Sequence, residues 1–80
     1  MGFKVRFIVK VNARSGPSIN DSITGSIKED TIVKCSAILI GDDGRIWVSF
    51  IGNSLHLRYS CIKDKDGSLY IDEESWNKIA

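Results

Sequence analysis

The chain has little of what catalytic and metal centres are built from. It contains one histidine, one proline, one methionine and two cysteines in 80 residues. A thiol nucleophile needs a neighbouring base and a third group to orient that base. Only His56 is available as an imidazole base, and no recognisable protease signature surrounds Cys35 or Cys61. A structural zinc site needs four ligands, and the spacing of Cys35, His56 and Cys61 matches no common arrangement. Two cysteines make at most one bridge, which excludes a disulfide framework. Cys35 shares the Val33 side of its segment and reads as a small core residue. A Cys35–Cys61 bridge stays open on the sequence.

Charge of one sign is also lacking. Eleven Lys and Arg face ten Asp and Glu, for a net charge of +1. Whole-molecule attraction to nucleic acid or to an anionic membrane is therefore not expected. No apolar run approaches the ~20 residues that cross a bilayer. The start, Met1-Gly2-Phe3-Lys4, alternates at once and carries no apolar leader segment, so it is not read as a signal peptide. Glycine-rich phosphate loops are missing. Asp42 and Asp43 are paired carboxylates, but they fall in a hairpin tip where no burial would raise their pKa. Asp64-Lys65-Asp66-Gly67-Ser68 looks faintly like the opening of a calcium loop. The bidentate acid that such a loop requires would fall on Ser75, so the segment is read as a turn. No catalytic set, no metal site and no cofactor is expected.

What is present is an ordinary globular composition, 42% hydrophobic and 26% charged, long enough for one domain spanning residues 1–80. Phe3, Val5, Phe7, Val9, Val11 and Ala13 occupy odd positions. Polar residues fill the even ones, with Ile8 the exception. That period of two predicts one long strand with a buried face. Arg14-Ser15-Gly16-Pro17-Ser18 breaks it and opens a polar loop reaching Ser22. A short extended piece, Ile23 to Ile27, and a turn at Lys28-Glu29-Asp30 follow. Thr31 to Ile40 is rich in β-branched residues and reads as a strand. Gly41-Asp42-Asp43-Gly44 is a hairpin signal. Arg45 to Ile51 returns, Gly52-Asn53-Ser54 turns, Leu55 to Ile62 is a further strand, and Ser68 to Ile71 is a short last one. Asp72 is a candidate N-cap, with Glu73 and Glu74 in the first turn of a short C-terminal helix. Short strands at regular turn spacing predict an all-β fold, a small barrel or sandwich.

Val11-Asn12-Ala13-Arg14-Ser15-Gly16-Pro17-Ser18 resembles the opening of the bacterial Src-homology-3-like (SH3b) family: an apolar residue, Asn, a small apolar residue, Arg, Ser, Gly, Pro, Ser. Ile23-Thr24-Gly25-Ser26-Ile27 resembles the family's next feature, and Trp47-Val48-Ser49-Phe50 its tryptophan-containing strand. The resemblance runs from about Val9 to Ile62. Asp30 stands where members usually have Gly, Arg58-Tyr59-Ser60 stands near the usual Gly-aromatic pair, and the segment from Lys63 onward has no counterpart. The resemblance implies an SH3-like barrel. It also implies a cell-wall-binding module of an exported or phage-encoded parent, such as an endolysin, autolysin or surface protein. Such a module acts outside the cell or in the wall and holds a catalytic domain of the parent chain against peptidoglycan. The other reading is a module that binds a peptide or partner protein and not the wall.

Five residues are the candidate ligand-binding set: Arg14, Asn20, Asp21, Trp47 and Tyr59. Arg14 offers a guanidinium to a peptide carboxylate, or else pairs with Asp21 or Asp30. If Val48 and Phe50 face the core, Trp47 and Ser49 face outward, which would make the indole a platform for sugar or peptide. Equally, Trp47 packs under the Asn20–Ser22 loop as a minor-core residue. Asn20 and Asp21 would bond peptide amides. Tyr59 or Tyr70 would line the same groove, Tyr70 reading more readily as a barrel residue. Lys4, Arg6, Lys10 and Arg14 share one face of the predicted first strand. That face is read as solvated rather than as an anion-binding surface.

Overall fold

Of the opening apolar stripe, Val5, Phe7, Val11 and Ala13 are buried, Phe3 is half-buried and Val9 is exposed, and the stripe forms two strands and not one. In the computed structural model, which describes residues 2–80, β1 is Phe3–Arg6 and β2 is Val11–Arg14. The chain changes partners between them. β1 pairs antiparallel with β4, Ile32–Cys35, whereas β2 lies between β3, Ile23–Ile27, and β7, Leu57–Lys63. At the corner, Phe7 N donates to Thr31 O at 3.0 Å and Ile8 N to Tyr70 O at 2.9 Å. Ile8 and Val9 form a bend and are exposed. Such corners let one chain serve two sheets of a closed all-β fold. Ile8, the one even-numbered apolar residue, marks the place. The four cations read as one face are accordingly divided, with Lys4 and Arg6 on or beside β1 and Lys10 and Arg14 at β2.

The predicted strand Thr31–Ile40 is likewise two. It breaks at Ser36, whose backbone N–H and hydroxyl both engage Ser49. β4 belongs to the two-stranded sheet, and β5, Ala37–Ile40, is the edge of the five-stranded sheet, whose order is β3-β2-β7-β6-β5 with β6 spanning Ile46–Ile51. The predicted last strand, Ser68–Ile71, is reduced to two isolated bridges, Lys63 to Leu69 and Phe7 to Ile71. The expected turns are present. Gly44 and Gly67 hold φ of 92° and 94°, the left-handed region that glycine enters without steric cost. Asp30 holds φ 66° where the family usually has Gly. Aspartate is among the residues that tolerate this region, and its carboxylate pairs with Arg6 at 2.5 Å.

The core lies between the two sheets. Val5, Phe7, Val48, Ile62 and Ile71 are each 0% exposed, with Val11, Ala13, Ile27, Cys35 and Phe50 around them. Ser60, also fully buried, donates its hydroxyl to Asn12 O at 2.9 Å and so joins β7 to β2. The helix α1, Glu73–Ile79, closes the remaining side. Asp72 caps it by accepting from Ser75 N at 2.8 Å, and Ser75 Oγ accepts from Arg6 N at 3.0 Å, so the cap also ties the helix to β1. Lys63 Nζ sits 4.6 Å from the centre of the Trp76 ring, adding a cation–π contact. No helix among the described residues is long and apolar enough to cross a membrane.

Two outcomes follow from this packing. Ile62→Ala removes three buried carbons from the centre and should cost about 2–5 kcal/mol in urea unfolding. A loss well below that range would mean the core collapses around the gap. The Asp72 carboxyl is held below its ordinary value of 3.8, first by the hydrogen bonds from Ser75 and then by the Arg6 charge. A depressed folded-state value means the cap stabilises above the unfolded pKa and loses its effect as pH falls through the folded one. Asp72→Ala should therefore lower the melting temperature more at pH 7 than at acid pH, and equal losses at both would contradict a charged cap.

Candidate ligand cleft

β6 is buried on both faces, and this decides where a ligand can sit. Val48 and Phe50 enter the main core as the sequence implies. Trp47 and Ser49 do not reach solvent on the other face: they are 1% and 3% exposed. Of the two readings of Trp47, outward platform or minor-core residue, the structure has the second: the indole is buried against Gly41, with Ile19 of the loop after β2 lining the same cleft. This loop, residues 15–22, is closed at its base by Ser15 N donating to Ser22 O at 2.9 Å. It is pinned by Arg14, whose Nη1 donates to Ile19 O and Asp21 O at 3.0 Å each. Arg14 thus engages the backbone of its own loop and not the carboxylate of Asp21 or Asp30. The Asp21 carboxylate lies against Gly16, where a Cβ would fall 2.3 Å from Oδ2, so a side chain there would displace that carboxylate.

Loop, corner and sheet together enclose a cleft of about 450 Å³. Val9, Val11, Ile19 and Trp47 give it apolar surface, and Lys10, Asn12, Arg14, Arg45, Asp64 and Tyr70 give it polar groups. The polar groups on one side form a network. Tyr70 donates its hydroxyl to the Asp64 carboxylate, and Arg45 reaches Asp64 with Nε at 3.6 Å while pairing with Asp43 through Nη1. The Asp64 hydrogen bond, with burial behind it, pushes the Tyr70 phenol up to about 12, so it is a proton donor at any physiological pH.

Cys61 also lines the cleft, directly across the ladder from Trp47. Burial pushes its thiol up to about 11, and that of Cys35 up to about 12. Both thiols are free. Cys35 belongs to the main core and Cys61 to the opposite face of the sheet, so the bridge left open by the sequence is not formed. His56 Nδ1 lies 3.0 Å from Ser54 Oγ in the β6–β7 turn, not in the cleft.

Trp47 Nε1 is buried and has no hydrogen-bond partner among the described residues. It lies under Gly41, where a Cβ would come within 3.1 Å of it. Gly41 lines a second cleft, of about 530 Å³, which shares Ile19 and Arg45 with the first. The five sequence-derived candidates divide accordingly. Arg14 and Trp47 line the first cleft, and Asn20 and Asp21 line the second, across Ile19. Tyr59 lines neither; it stands half-buried opposite Arg14 and Ser49 on the ladder. Tyr70, the phenol less favoured for the groove, is the one in it. Lys10, Arg45, Cys61 and Asp64 were not singled out for it. Only the separation of β1 from β2 brings Val9 and Lys10 to its rim, and no pattern in the residues announces that Asp64 bridges Arg45 and Tyr70.

If Arg14 holds the loop, Arg14→Ala should leave the fold intact at a cost of about 1–2 kcal/mol. It should also raise amide hydrogen exchange across residues 15–22. Unchanged exchange there would show that the loop is held by other contacts.

No protein-family model matches the chain, and no curated protein matches it. Solved structures do. The SH3b domain of lysostaphin, in a complex with P4-G5, is 19% identical with a TM-score of 0.78, over 90% of this chain and 84% of that one. The cell wall targeting domain of the peptidylglycan hydrolase ALE-1 is 16% identical with a TM-score of 0.77, over 90% and 79%. Ly7917, determined with the hydrolyzing product of MDP, is 26% identical with a TM-score of 0.73, over 90% of this chain and 32% of that one, so the chain spans about a third of that larger protein. With its two sheets, corner strands and short C-terminal helix, the chain has the fold of bacterial SH3b domains.

Proposed function

We propose that the chain is a non-catalytic module that binds a peptidoglycan peptide, stem or cross-bridge, and so holds a parent protein against the bacterial cell wall. The observation that carries the reading is the cleft between loop 15–22 and the corner at Val9–Lys10. It has an apolar base and a polar rim, on a fold that is similar to a cell wall targeting domain. An extended peptide has the matching chemistry. Its apolar atoms would rest chiefly on Val9 and Ile19, the exposed apolar side chains of the cleft, with Val11 and the buried Trp47 forming the floor beneath them. Its backbone amides would meet Asn12 and the Asp64–Tyr70 pair. Asn20 and Asp21 would bond peptide amides where the ligand continues into the second cleft. Arg14 would act by holding the loop in place. Apolar clefts with a few convergent polar groups are the usual form of a ligand site.

The cleft is shallow and one module offers limited area, so affinity per copy should be low. A parent chain would gain from tandem copies or a multivalent wall through effective concentration. The parent would work outside the cell or in the wall, with a hydrolase domain as the natural neighbour in the same chain.

Retention on purified Gram-positive sacculi tests the reading, and no retention on any of them would overturn it in favour of a module for a partner protein. Cys61 supplies a second readout at the site itself. Its high pKa makes alkylation slow at pH 8, and a bound wall peptide should slow it at least several-fold further, while Cys35 stays unreactive throughout. Alkylation of Cys61 at an unchanged rate under saturating peptide would place the ligand elsewhere.

A further inference from the structure

Four charged side chains line the first cleft, the cations Lys10, Arg14 and Arg45 and the single carboxylate of Asp64. The whole chain carries only +1, so this local excess of positive charge is a property of the cleft and not of the surface at large. The four differ in what they touch. Arg45 is paired with Asp43 and Asp64. Asp64 is further held by the Tyr70 hydroxyl. Arg14 has Nη1 engaged with two loop carbonyls, which removes one arm of the fork that bidentate carboxylate binding requires. Lys10 has no ion-pair or hydrogen-bond partner among the described residues. Its side chain is exposed, and its backbone follows a corner clamped by Phe7 and Ile8 bonding to Thr31 and Tyr70.

We infer that Lys10 is the residue that selects the ligand, and that the cleft takes the anionic end of a peptide bearing a free carboxylate in preference to a neutral or amidated one. The inference rests on the wall-peptide reading above and narrows it. The apolar surface of Val9, Val11, Ile19 and Trp47 lowers the local dielectric, so a charge beside it counts for more than one on an open face. Arg14 and Arg45 raise the potential without being free to close on the ligand, and Lys10 supplies the ammonium that does. The carboxylate role that the sequence suggests for Arg14 thereby passes to Lys10, four residues earlier in the chain.

The test is a titration, followed by calorimetry or amide shifts, with a soluble peptidoglycan stem peptide. One form has its carboxylates free and the other has them amidated. The intact chain should bind the free form roughly five- to tenfold more tightly, as expected of one charge-assisted hydrogen bond. Raising salt should erode the difference. Lys10→Ala, checked by thermal melting for an intact fold, should bind both forms with the affinity that the intact chain shows for the amidated one, and Lys10→Arg should restore the preference. Equal binding of the two forms by the intact chain would overturn the inference and leave the proposed function standing. A preference that survives Lys10→Ala would also overturn it. Binding of neither form would overturn the inference, and retention on sacculi measured alongside would decide the proposed function separately.

Discussion

Arg14 reaching back to the carbonyls of Ile19 and Asp21 is the contact on which the second half of this structure depends. Without it, residues 15–22 have only their own turns to hold them, and the face of the sheet that carries Trp47 would be open to water. With it, that face acquires a roof. A charged donor bonding two otherwise solvated carbonyls gains more than a neutral one would, and the bonds come from the residue at which the strand ends, so the loop is folded back as soon as it begins. Gly16 lets the Asp21 carboxylate lie close against the start of the loop.

A strand buried on both faces usually belongs to the middle of a layered α/β protein. Here an 80-residue chain achieves the same thing with a loop. Val48 and Phe50 enter the main core, Trp47 is buried against Gly41 beside the cleft that Ile19 lines, and Ser49 is buried with its hydroxyl on Ser36. The cleft is what is left between the loop and the corner at Val9. Its chemistry is therefore a by-product of closing the fold. The corner that transfers the chain from β4 to β3 and β7 presents Lys10, the pin of the loop presents Arg14, and the turn after β7 presents Asp64 to Arg45 and Tyr70. The indole N–H under Gly41 is the one buried donor left without a partner among the described residues, and it sits where the two clefts adjoin.

The sequence reads well where the physics is local. Alternation locates the buried residues Val5, Phe7, Val11 and Ala13, the Asp-Gly pairs locate both left-handed glycines, and Asp72 is a cap because Ser75 lies three residues on. It reads poorly where the outcome depends on what covers a face. Alternation assigns Trp47 to the side away from Val48, which is right, but leaves open whether that side meets solvent, because a strand's own pattern says nothing of segments distant in sequence that pack beside it. The corners at Ile8 and Ser36 are hidden for a related reason: the odd-numbered stripe continues through them while the hydrogen-bonding partner changes. Of the candidate residues, Arg14 and Trp47 are brought together at one cleft, Asn20 and Asp21 at the next, and Tyr59 at neither. Lys10 and Asp64, each ordinary in the sequence, become distinctive only once the corner and the β7 turn bring them to the same opening.

The central claim is that a wall peptide enters between loop 15–22 and the corner at Val9–Lys10, over the floor that the buried Trp47 supports. The most direct measurement is a two-dimensional amide spectrum of the isotope-labelled chain during addition of a soluble peptidoglycan peptide, because the Trp47 indole N–H gives its own resolved signal. The account expects concerted shifts in that signal and in the amides of residues 9–12, 19 and 61, with β3 and the β6–β7 turn unmoved. Shifts confined to those latter segments, or a spectrum that the peptide does not perturb, would contradict it.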